Sequence, residues 1–146
     1  MSVPPLTITV MKSGVTETVL IQRFEDEGIT VLETDAGMGD GEVAWYSRSA
    51  RTVAIRPGLL ERQRVPALLH EYFHHCRGDD GPQPAWVEAR IDEEVAELLV
   101  DPRAYAEAEE RFGWSTGGIA HALEVPRWVV EAYRRVLVKS GGVSHL

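Results

Sequence analysis

Apolar and polar positions change period several times along the chain, and the changes mark out a mixed α and β protein. Leu6 to Val10 alternates as a short strand does, and Ser13 offers an N-cap for a helix from about Val15 to Glu27, which Gly28 ends. Ile29 to Glu33 reads as a strand, and the glycine-rich stretch from Asp35 to Gly41 as a loop. Two further strand-like runs, Glu42 to Tyr46 and Arg51 to Arg56, flank the turn Ser47-Arg48-Ser49-Ala50 and predict a hairpin that Pro57-Gly58 closes. Helical spacing then holds from about Leu59 to Cys76, stops at Arg77 to Pro82, and resumes from about Ala85 to Val100. Asp101-Pro102 closes that helix and a further one covers about Ala104 to Phe112. Ser115 to Val138 reads as two short helices around the bend at Val125-Pro126.

Composition narrows the classes. At 146 residues and 44% hydrophobic, the chain suffices for one compact core, and one domain is the expectation. No run of 18 apolar residues occurs, and Met-Ser-Val-Pro-Pro lacks the basic flank and apolar stretch of an export signal. A cytoplasmic protein with no membrane partner is therefore expected. Cys76 is the single cysteine, so there is no internal disulfide framework, and a bound metal would need histidine and carboxylate ligands. The net charge of −8 argues against broad binding to a phosphate backbone.

The chemistry lies in His70-Glu71-Tyr72-Phe73-His74, an H-E-x-x-H pattern. Residues four apart on a helix lie one above the other, so both imidazoles can reach one ion, an arrangement that suits zinc. With Glu71 at zero and about 100° per residue, His74 falls near −60° and His70 near −100°, whereas Pro66, Leu69 and Phe73 cluster on the opposite, packing side. Glu71 then stands beside the metal, where it can act as general base toward water.

A catalytic zinc takes three protein ligands, and this helix supplies two. On the following helix Val87, Ile91, Val95 and Leu98 form an apolar stripe, with Glu88 and Asp92 at its border. Glu88 is the candidate third ligand. Asp92, one turn on, is placed to orient a ligating histidine through a hydrogen bond. Glu94 is the alternative ligand by helical phase, and Glu93 and Glu97 point where solvated charges belong.

Other residues complete the picture. The hairpin over 42–56 precedes the metal helix, and an exposed sheet edge there would accept an extended peptide as an added strand, although a hairpin that only covers the core fits equally well. Tyr46, Tyr72, Tyr105 and His121 are four candidates for stabilising an oxyanion, among which the sequence does not choose. His75 is assigned mainly a structural role, Cys76 the role of a core thiol, and the tryptophans core or interface roles.

Together, the glycine-rich loop, the hairpin, the HExxHH helix and the Glu-led helix ending in Ala96-Glu97-Leu98-Leu99-Val100-Asp101-Pro102 resemble the ImmA/IrrE metallopeptidases over roughly residues 15–102. Members of that family are cytoplasmic, often carried by phages or mobile elements, and act on helix-turn-helix repressors. The resemblance implies Zn2+, His70, His74 and Glu88 as metal ligands, Glu71 as catalytic base, and a repressor-like protein substrate. The expected fold is α+β and zincin-like: a small β-sheet packed on the HExxH helix, a second ligand-bearing helix, and a helical C-terminal appendage. The expected limits are 1–113 for the core and 114–146 for the appendage, in one compact unit.

The C-terminal stretch supplies the alternative. Ser115 to Val130 resembles the core of a helix-turn-helix, with Ala120, Val125 and Val130 at its packing positions, which would make the chain a DNA reader or a metal-stabilised adaptor without proteolysis. From Ser115 onward four basic residues stand against two acidic ones, a thin surplus for holding phosphates, and Trp128 falls where base-contacting polar residues are expected. A packing or partner-docking module is the favoured reading.

Overall fold

The computed structural model describes residues 14–141; the strand expected over Leu6 to Val10 and the cap expected at Ser13 lie outside them. Within that span the chain is α+β, with six helices and one three-stranded mixed sheet. It groups into two compact units, one up to Pro84 and one from Ala85.

In the first unit, helix α1 (Glu17–Asp26) begins at Thr16, whose Oγ1 accepts from the Val19 N–H at 3.1 Å, and buries Leu20 and Phe24 one turn apart. Strand β1 (Thr30–Glu33) follows. β2 (Ala44–Ser47) and β3 (Thr52–Ile55) form the expected antiparallel hairpin, Ala44 opposite Ile55, and β1 pairs parallel with β3, Thr30 beside Thr52. The order β1-β3-β2 puts β3 in the middle, with Val53, Ala54 and Ile55 fully buried, and leaves β2 as an edge. Arg51 ties the hairpin turn to the end of α1, donating to the carbonyls of Gly28 at 3.2 Å and Glu27 at 3.0 Å.

Helix α2 (Glu61–Arg77) carries the H-E-x-x-H residues and packs on α1, β2 and β3 through Leu68, Leu69 and Tyr72, all fully buried. Gly78, with φ of 77°, ends it in the left-handed conformation that a Cβ would strain. Cys76, expected in the core, is exposed in the last turn of α2.

The second unit is helical: α3 (Ala85–Leu99), α4 (Pro102–Phe112), α5 (Thr116–Leu123) and α6 (Arg127–Lys139). Asp101 and Ser115 cap α4 and α5, accepting from Ala104 N–H at 2.9 Å and Gly118 N–H at 3.0 Å. The predicted stripe Val87, Ile91, Val95 and Leu98 is buried. A core of Ala96, Tyr105, Ile119, Val129, Val130 and Tyr133 joins α3 to the C-terminal helices, and Val125 and Trp128 pack against it.

Glu93 departs from expectation. It is only 5% exposed, because α6 lies over that face of α3 and brings Arg135 Nε to 3.0 Å and Lys139 Nζ to 2.6 Å from its carboxylate. Helical phase places a residue on its own helix and says nothing of which neighbour covers it. Glu97, by contrast, is exposed. Among the described residues no helix is long and apolar enough to cross a membrane.

Candidate metal centre

His70 and His74 stand one turn apart near the end of α2, with ring centroids 4.9 Å apart and ring planes at 66°. His74 is 7% exposed and His70 half-buried. Glu88, in the first turn of α3, is half-buried. One potential ligand atom from each of His70, His74 and Glu88 lies within 4.8 Å of the others, so the three could hold a metal ion. Two imidazole nitrogens and one carboxylate oxygen are the donor set that borderline-soft divalent metals accept, zinc foremost. Glu94, the alternative ligand, is outside this group; its side chain is 45% exposed and pairs with Arg90 at 3.6 Å.

The tautomer of His74 follows from its neighbour. Its Nδ1 lies 2.9 Å from Oδ2 of Asp79, whose side chain is 11% exposed. Burial works to raise the Asp79 pKa, but hydrogen bonds from His74 and Arg77 outweigh it and hold the carboxyl below its ordinary value. An ionised carboxylate only accepts, so Nδ1 carries a proton and Nε2 is the nitrogen that a metal would take.

No family model, curated protein or solved structure matches this chain. The site therefore has to be read from its own residues. Glu71, between the two histidines in sequence and half-buried, is not a member of the three-residue group. Asp92 is half-buried one turn after Glu88 on α3.

Sequence reasoning passed over Asp79 because the run from Arg77 to Pro82 reads as a helix stop. The signal was the Gly-Asp pair directly after the helix. A left-handed glycine at that place turns the next residue back onto the last turn, where a carboxylate meets the final side chains.

His75 has both ring nitrogens engaged, Nδ1 with the Tyr46 hydroxyl at 3.0 Å and Nε2 with Glu27 at 2.9 Å. The other Glu27 oxygen accepts from the Tyr72 hydroxyl at 2.6 Å, and Arg23 Nε donates to Tyr72 at 3.3 Å. This network locks α1, α2 and β2 together. Tyr72 is fully buried within it, which makes it a core residue and not a group open to substrate. Tyr46 is half-buried on the edge strand, and its pKa is raised by burial against the opposing pull of Arg48 and Arg51. Tyr105 is likewise buried, its hydroxyl donating to Glu109 at 3.1 Å, whereas His121 is exposed.

Proposed function

We propose that this chain is a zinc-dependent peptidase that hydrolyses a peptide bond in a cytoplasmic regulatory protein, with a helix-turn-helix repressor as the substrate class that its resemblance to the ImmA/IrrE metallopeptidases implies. One observation carries the reading: two histidines and a glutamate converge to within 4.8 Å, with a further glutamate standing between those histidines in an H-E-x-x-H helix.

Zinc bound there supplies Lewis-acid polarisation of a carbonyl and acidification of water. The chain's own residues do the rest. His70, His74 and Glu88 bind the ion and Asp92 supports the ligand set. Glu71 takes the proton from the attacking water and delivers it to the departing amine. Edge strand β2, next to the central strand of the sheet on which α2 packs, offers main-chain groups to an extended peptide. The resemblance implies a zincin-like fold.

A DNA-reading role for the C-terminal helices draws less support. Arg134 donates to Tyr105 and Thr116, while Arg135 and Lys139 are held by Glu93, so three of the basic residues there are already engaged within the unit.

The test is a pair of proteins, wild type and Glu71→Gln, loaded with zinc and incubated with a degenerate peptide library read by mass spectrometry. Wild type should bind one zinc per chain and cleave; Glu71→Gln should keep the zinc and lose cleavage by about a hundredfold or more. A wild-type protein that takes up no divalent metal at micromolar concentration overturns the metal reading, and equal cleavage by the two proteins overturns the role of Glu71.

A further inference from the structure

The turn after α2 is built with more hydrogen bonds than ending a helix requires. Gly78 donates its N–H to the His75 carbonyl at 3.0 Å, and Asp79 donates its own to the His74 carbonyl at 3.1 Å, the paired bonds of a Schellman ending. The backbone of Asp79 therefore holds the backbone of His74, while its carboxylate holds the His74 ring at 2.9 Å. Arg77 Nε also reaches Oδ2, at 2.9 Å, so the carboxylate is fixed from a second side. The loop is pinned from outside as well. Arg48, in the β2–β3 turn, donates its backbone N–H to Asp80 at 3.1 Å and its guanidinium to the Gly78 carbonyl at 3.3 Å.

We infer that Asp79 is the positioning residue that fixes the tautomer and ring orientation of His74, and that the β2–β3 turn holds it in place through Arg48. The inference rests on the metal reading above. Without an acceptor at Nδ1, a neutral imidazole spreads its proton over both nitrogens and its ring turns about the Cβ–Cγ bond, so ordering it would count against metal binding. With Asp79 in place that ordering is complete before the ion arrives. A carboxylate on the ligand also makes Nε2 a better donor. The metal helix therefore carries the orienting group for its second histidine on its own C-terminal turn, five residues further along.

The experiment uses the full chain and two readings. The first is the tautomer of His74 in the metal-free protein, from long-range 15N–1H ring correlations near neutral pH. The second is the dissociation constant for zinc against a competing chelator. Wild type should show the Nδ1–H form. Asp79→Ala should show a mixture with the Nε2–H form, and zinc affinity should fall by about 10- to 100-fold. Asp79→Asn, whose amide oxygen still accepts, should keep the Nδ1–H form and lose less affinity. A fold change alone would not move the tautomer in this graded way. If wild type binds zinc and Asp79→Ala matches it in both readings, the inference falls while the metal site stands; if wild type binds no metal, the metal reading falls and takes this inference with it.

Discussion

At the scale of single residues, the decisive choice is between Glu88 and Glu94 as third ligand. Both are on α3, and helical phase alone left both open. In the structure Glu88 is half-buried and within 4.8 Å of both histidine ligand atoms, whereas Glu94 is exposed and paired to Arg90 on its own helix. Glu88→Ala should therefore lower zinc affinity by orders of magnitude, because two remaining ligands rarely hold zinc tightly. Glu94→Ala should leave it within a factor of about two, since an exposed pair of this kind contributes little. Chelator competition on the two variants checks this, and the reverse ranking would reassign the ligand. The candidates His70, His74 and Glu88, which could hold a metal ion, were legible in the sequence because spacing and phase are properties of one helix at a time. The buried, ion-paired state of Glu93 was not, because it depends on Arg135 and Lys139 from a helix more than 30 residues away in sequence.

At the scale of elements, segment identities were readable and their cooperation was not. Gly28, Pro57-Gly58 and Asp101-Pro102 punctuate the chain where it turns, and periodicity between them separates helices from strands, so α1 to α6 fall within a few residues of the expected limits. The parallel pairing of β1 with β3 has no such local signal, since it joins strands separated by the loop and β2. The end of α2 is where element geometry and site meet. Gly78 sits at φ of 77° with no atom within 4 Å of where a Cβ would be, so Gly78→Ala meets no clash and suffers backbone strain alone. That strain costs about 1 kcal/mol. Thermal denaturation should show a correspondingly lower Tm, and zinc affinity should fall too, because the same turn carries Asp79. A lower Tm with unchanged zinc affinity would separate the helix ending from the metal site.

At the scale of the whole molecule, the net charge of −8 makes acid the informative variable. Most carboxylates are exposed, but Glu93 is buried against two cations. Burial acts to raise its pKa; the hydrogen bonds from Lys139 and Arg135 outweigh that, and the folded value lies below the ordinary 4.5. A carboxyl depressed on folding binds more protons when unfolded, so its contribution is fully present above about pH 4.5 and is lost as pH falls through the lower, folded value. Glu93→Gln removes the titrating group and its charge. Near neutral pH the variant should be less stable by about 1–2 kcal/mol, the lower part of the range for a charged buried hydrogen bond, because Arg135 and Lys139 are 43% and 60% exposed and can return to water. Below the carboxylate range the gap should close, since wild-type Glu93 is then protonated and resembles the amide. Urea unfolding of both proteins between pH 7 and pH 3 measures this directly. A gap that stays constant across that range would mean that packing, and not the charge of Glu93, ties α3 to α6.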